Sequence, residues 1–179
     1  IPLLSLHLSI SPDLTAESIC RPANFSHKDE RASAGYYSVI LKDEGIKAEL
    51  TATTHTGMHR YTFPSGKPVT IIVDLAHLLD NEYIYEAELE RTTSNEIVGM
   101  RRTRGWTDNQ YVYFAAQFSE PFQTVEFVQD KKIVSAETKQ VGTDLQAILT
   151  FADKDGEPII AKVGLSLVSV DNNSNGFSG

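Results

Sequence analysis

Apolar and polar residues alternate with period two along most of this chain. Leu4, Leu6, Leu8 and Ile10 share one face of a first segment, with Ser5, His7 and Ser9 on the other. Ile46, Ala48, Leu50 and Ala52 alternate with Lys47, Glu49, Thr51 and Thr53, the pattern of a strand with one face in water. Tyr83, Tyr85, Ala87 and Leu89 alternate with positions that include Glu86, Glu88 and Glu90, whose carboxylates read as a solvated sheet face. Val69 to Leu75 and Tyr111 to Phe118 are apolar on both faces and rich in β-branched or aromatic residues, as buried central strands are. Further strands are expected at 36–42, 57–63, 95–103, 122–129, 145–152 and 158–170. Turn signals separate them: Asp43-Glu44-Gly45, Pro64-Ser65-Gly66-Lys67-Pro68, Thr107-Asp108-Asn109 and Asp153-Lys154-Asp155-Gly156. The only helical spacing is Leu75, Leu78 and Leu79, enough for one turn within 74–82. Residues 11–35 lack alternation and read as an extended loop of the length that often carries contacts.

So many strands with short gaps indicate an all-β fold, a large antiparallel β-sandwich, with a closed barrel as the alternative. One domain over 1–179 accommodates them. No apolar run approaches the roughly 20 residues of a membrane-spanning helix. The net charge of -8 argues against a nucleic-acid binder, which needs a basic face to replace counterions. Cys20 is the single cysteine, so no internal disulfide and no four-thiolate zinc site can form. Both ends read as cut, without an initial Met or a secretion signal, so the chain is expected to be a piece of a longer polypeptide.

Candidate chemistry is sparse. The histidines are His7, His27, His55, His59 and His77, and none forms an HExxH zinc motif. His55 and His59 could share a strand face, but no third ligand stands at familiar spacing, so packing or hydrogen bonding is the better reading. There is no GxSxG serine elbow and no glycine-rich phosphate loop. The Asp153–Glu157 run is too short for an EF-hand and reads as a solvated hairpin turn. In Arg101-Arg102-Thr103-Arg104, Arg102 and Arg104 share a face opposite Arg101; ion pairs to the Glu86-Glu88-Glu90 face are the expected use, and contact with an acidic partner the other. Trp106, the single tryptophan, and the Tyr36-Tyr37 pair are aromatics of the kind that stack on sugar rings or pack in cores.

One stretch goes further. Phe25-Ser26-His27-Lys28-Asp29-Glu30, Ala34-Gly35-Tyr36-Tyr37-Ser38-Val39, Gly45 to Thr54 and Gly57-Met58-His59-Arg60-Tyr61-Thr62-Phe63-Pro64 resemble, in order and spacing, the N-terminal domain of glycoside hydrolase family 92. Later segments agree: Val73-Asp74-Leu75, Gly99 to Trp106, Phe118-Ser119-Glu120-Pro121-Phe122 and Lys162 to Ser166. Lys28-Asp29, Ala34 and His55 depart from the Glu-Asn, proline and arginine frequent in the family.

The resemblance implies an exo-α-mannosidase, with α-1,2 linkages as the expected target, in two parts. An N-terminal sandwich packs on a C-terminal (α/α) barrel with the active site between them. It implies calcium dependence in the full-length enzyme, inversion of configuration, and a glutamic acid and an aspartate from the barrel as general acid and general base. It also implies a periplasmic or extracellular location. Accordingly no catalytic residue and no bound calcium are expected in this chain alone. His27, Glu30, Tyr36, Tyr37, His55, His59, Arg60 and Trp106 are the candidates for substrate or domain contact. A stand-alone carbohydrate-binding module and a structural or adhesive sandwich are the competing readings.

Overall fold

The computed structural model describes residues 5–8, 24–66, 69–78, 82–105, 107–134 and 138–168, the first of these by backbone alone. The strands are β1 (Ser5–Leu8), β2 (Arg31–Ser33), β3 (Tyr36–Leu41), β4 (Ile46–Ala52), β5 (Thr56–Thr62), β6 (Val69–Asp74), β7 (Tyr83–Arg91), β8 (Glu96–Arg104), β9 (Gln110–Phe118), β10 (Thr124–Gln129), β11 (Lys132–Val134), β12 (Lys139–Gly142), β13 (Leu145–Phe151) and β14 (Ile159–Ser166). They form a five-stranded sheet, ordered β1-β6-β13-β10-β11, and a nine-stranded sheet, ordered β12-β7-β8-β9-β14-β5-β4-β3-β2. Every pairing is antiparallel.

The two sheets face each other across one apolar core. The larger contributes side chains such as Ile46, Tyr61, Leu89, Ile97, Phe114 and Ala161; the smaller contributes Ile71, Val73, Phe127, Leu145 and Phe151. This is the sandwich that alternation predicts, because successive side chains of a strand point to opposite faces and only one face is apolar. Phe118, Phe122 and Phe151 close one region of the core with centroid separations of 5.3 to 5.5 Å. At Gly99 a Cβ would stand 2.4 Å from the Phe114 ring and 2.5 Å from the Glu88 carbonyl oxygen, so the close approach of β8 to its neighbours requires glycine. The chain's last described strand, β14, does not sit at an edge: it lies between β5 and β9 and joins two meanders into one sheet.

Several expectations change. Within 11–35 the described part is not a plain loop: a 3-10 turn spans His27–Asp29 and β2 follows it. No helical turn forms at 75–78; Leu75 is fully buried at the end of β6 and the chain then runs irregularly. Strands β11 and β12 were not expected, and β14 stops at Ser166. The arginine run divides between the faces as expected, Arg101 opposite Arg102 and Arg104, but the expected ion pairs to the glutamate face do not form. Arg101 points into the sandwich, where it donates to the His77 carbonyl at 2.6 Å and lies 3.7 Å from Glu82. Glu88 and Glu90 are paired instead by Lys139 of β12. The Asp153–Gly156 turn behaves as expected: Asp153 accepts from the backbone of Gly66 and Asp155 and ties two loops together.

Candidate functional site

The best-built polar group lies on the outer face of the larger sheet, where β3, β4 and β5 run side by side. The β4–β5 register sets Glu49 opposite Arg60, and the β3–β4 register sets Ser38 opposite Glu49, so Tyr36 reaches the same carboxylate diagonally. Glu49 Oε1 accepts from the Tyr36 hydroxyl at 2.7 Å and from Arg60 Nη2 at 2.6 Å; Oε2 accepts from Arg60 Nε at 2.8 Å. Lys47 Nζ stands 3.1 Å from Oε1. Glu49 is only 6% exposed although its strand face is polar. The bidentate Arg60 contact first, then the Tyr36 hydrogen bond, hold its carboxyl down at about 2. Glu49 raises Arg60 in return.

Two shallow cavities flank the Tyr36 ring. One, of about 270 Å³, is walled by Tyr36, Glu49, Thr51, Met58, Arg60 and Ile160. The other, of about 300 Å³, is walled by Tyr36, Asp29, Arg31, Ser38, Ile40 and Lys47. Gly35 at φ 74° makes the β2–β3 turn that presents Tyr36, and the Thr51 hydroxyl donates to its carbonyl at 2.6 Å.

A second cluster lies at the β2–β3 edge. The Tyr37 hydroxyl donates to Glu30 Oε1 at 2.6 Å, and His27 Nδ1 meets Glu30 Oε2 at 2.5 Å. The Tyr37 and His27 hydrogen bonds, in that order, lower the Glu30 carboxyl, and Glu30 raises Tyr37. Lys42 to Asp29 at 3.1 Å and Asn24 to Asp43 at 2.8 Å fasten this segment to the β3–β4 turn.

The remaining candidates fall elsewhere. His59 points inward, its Nδ1 2.6 Å from the Tyr61 hydroxyl and its ring edge-on to Tyr61. Burial lowers His59 and raises Tyr61, so His59 stays neutral as a packing residue. His55 is exposed in the turn before β5 and therefore shares no strand face with His59, because the strand begins at Thr56. Trp106 lies outside the described residues. The structure thus joins Tyr36 with Arg60, and His27 with Glu30 and Tyr37. Sequence reasoning missed Glu49, the centre of the first group, and Met58 on its cavity wall.

Both clustered carboxylates are held ionised. A carboxyl at about 2 is a poor proton donor and a weak base at neutral pH, so the Glu49 group positions rather than transfers protons. Among the described residues, no group of three or more His, Cys, Asp or Glu converges as a metal site would require, so these side chains do not form a calcium site. Nor is any helix among them long and apolar enough to cross a membrane.

A scan against protein families matches residues 7–166 to the glycosyl hydrolase family 92 N-terminal domain. The chain belongs to this family. Solved structures agree. The family 92 α-mannosidase BT3965 from Bacteroides thetaiotaomicron superposes with a TM-score of 0.81 at 34% identity, covering 86% of this chain and 22% of that one. The family 92 glycosyl hydrolase ccman5 gives 0.74 at 32% identity, covering 86% of this chain and 22% of its own. The inverting mannosidase BT2199, also from Bacteroides thetaiotaomicron, gives 0.74 at 23% identity, over 87% of this chain and 20% of its own, a likeness of fold alone. No curated protein sequence matches. The chain therefore spans about a fifth of the length of these family 92 structures. The residues that form the Tyr36–Glu49–Arg60 group all lie within the matched range.

Proposed function

We propose that this chain is most of the N-terminal sandwich of a calcium-dependent, inverting exo-α-mannosidase that removes terminal mannose, with α-1,2 linkages as the first candidates. One observation carries the reading: a family 92 N-terminal match across 7–166 in a chain that spans only about a fifth of its structural relatives. BT3965 has also been solved with mannoimidazole, which makes a mannose-like ring the ligand to test first.

In this reading the sandwich walls an active-site cleft completed by a C-terminal (α/α) barrel. Inversion requires a carboxylic acid and a carboxylate about 6.5–9.5 Å apart with a water between them. Glu30 and Glu49 are both hydrogen-bonded in their charged forms, so the acid is assigned to the barrel. Calcium ligation is assigned there too, since the described side chains offer no metal cluster. What this chain contributes is shape and fixed polarity. Tyr36 lines two cavities, and Arg60, which spends Nε and Nη2 on Glu49, keeps Nη1 for a ligand on a side chain 51% exposed. Such groups orient hydroxyls without taking part in proton transfer.

The test uses the full-length polypeptide. It is expected to release mannose from α-1,2-mannobiose as the β-anomer, followed by NMR, and to lose activity with a chelator and regain it with calcium. The 179-residue chain alone is expected to release none. Retention of configuration, or indifference to chelation, rejects the mechanism. Micromolar mannoside binding by the isolated chain favours a carbohydrate-binding module.

A further inference from the structure

On the β2 side of Tyr36 lies the pit of about 300 Å³. Strand pairing builds it. Arg31 of β2 lies opposite Ser38 of β3, and Ile40 of β3 lies opposite Lys47 of β4. Paired residues share a sheet face, and so do residues two apart along a strand. Ser38 is therefore the floor, with Tyr36 and Ile40 to either side along β3 and Arg31 and Lys47 on the flanking strands. Asp29, in the 3-10 turn, completes the wall.

Two of these groups lack partners. Among the described residues Arg31 forms no ion pair. Ser38 is only 5% exposed, yet its hydroxyl has no hydrogen-bond partner among them. That hydroxyl is not sealed in, as the unpartnered Glu44 Oε2 is, so it opens on the pit that Ser38 lines. A buried hydroxyl costs free energy until something bonds to it. The nearby acids are already taken: Lys42 holds Asp29 at 3.1 Å, and Arg60 holds Glu49 by two hydrogen bonds. Lys47 stands 3.1 Å from Glu49 Oε1, and its ammonium keeps further N–H donors. Arg31, Lys42, Lys47 and Arg60 thus face only Asp29 and Glu49, a local excess of positive charge in a chain of net charge -8.

We infer that this pit binds a phosphate-sized oxyanion, with the Arg31 guanidinium and the Lys47 ammonium as charged donors and the Ser38 hydroxyl beneath it. Donors from three adjacent strands converge on one point from different directions, which suits a tetrahedral anion. A cation would meet the positive excess, and a neutral hydroxyl would leave Arg31 without a counter-charge. A water takes about 30 Å³, so the pit has room for the group that carries the anion as well. The inference does not rest on the mannosidase reading; it adds a ligand class that release of neutral mannose does not require.

Calorimetric titration of the full-length polypeptide with inorganic phosphate tests this, in calcium-free buffer so that the anion meets no metal. One equivalent is expected to bind, more weakly as sodium chloride is raised. Arg31→Gln is expected to weaken binding about tenfold, the worth of one hydrogen bond to a charged group, with an unchanged circular dichroism spectrum. Ser38→Ala is expected to cost less, and Arg31→Lys, which keeps the charge, to recover part of the loss. Glucose 6-phosphate and glucose are titrated alongside. Tighter binding of the ester than of phosphate, with none of glucose, assigns the anion to a sugar; equal binding of ester and phosphate assigns it to the free ion. No saturable binding, or binding that Arg31→Gln leaves unchanged, overturns the inference. Glucose bound as well as its phosphate makes the pit a neutral sugar subsite and likewise overturns it. Mannose release is measured on the same preparation after calcium is restored. Its absence defeats the functional reading and leaves the anion site standing.

Discussion

Glu49 takes donors from β3, β4 and β5 at once, so its ionisation is coupled to folding. Its carboxyl sits at about 2 in the fold, against an ordinary 4.5. As pH falls, the unfolded chain takes up this proton first, so the stabilisation present above 4.5 is lost progressively towards 2. Glu49→Gln is expected to cost about 1 kcal/mol near neutrality, a modest figure because Arg60 is half exposed. The gap to wild type should narrow through that acid window in urea titrations; a gap independent of pH rejects the assignment. For His59 the shift is also downward, and its cause is burial. Its imidazole resonances should titrate below those of a free histidine, and stability should fall as pH drops below the ordinary 6.5 because the buried ring resists charging. A titration at or above that value would place the ring in water. Neither residue was legible as it stands. Alternation marked Glu49 as water-facing, but the register that puts Arg60 opposite and Tyr36 on the diagonal is a property of paired strands. Likewise His55 and His59 are evenly spaced, yet the turn ends only at Thr56.

At the level of elements, period-two patterning located β3 to β10, β13 and β14 because one or both of their faces are apolar. It missed β2, β11 and β12 for a physical reason. These run for three, three and four residues with largely exposed side chains, so they carry no burial rhythm to detect. The leucine spacing at 75–79 suggested a helical turn, but Leu75 is claimed by the core and its backbone N–H donates to Leu145. Gly99 shows how tightly β8 is held. Gly99→Ala must push against the Glu88 carbonyl as well as a ring, and only the ring can move. A loss of about 2–3 kcal/mol is expected from overpacking of this kind, read as a lowered denaturation midpoint. An unchanged midpoint would mean that β7 and β8 separate more readily than their pairing suggests.

For the whole molecule, the sandwich and the family were readable from the sequence, the latter from the 46–64 run above all. Which strands share a sheet was not, since that depends on pairings between segments far apart in the chain. β14 has a consequence for how the protein is made. Strands β2 to β5 and β7 to β9 can each form as local hairpins while the nascent chain is still emerging, but β5 and β9 share no border until Ile159–Ser166 arrives between them. A polypeptide stopped before Ile159 should therefore lose its single cooperative unfolding transition, and a sharp transition in that product would show the meanders to be independent. During synthesis both apolar flanks stay unpaired until almost the last described residue leaves the ribosome. That interval leaves two sheet edges open to mispairing until one strand closes both.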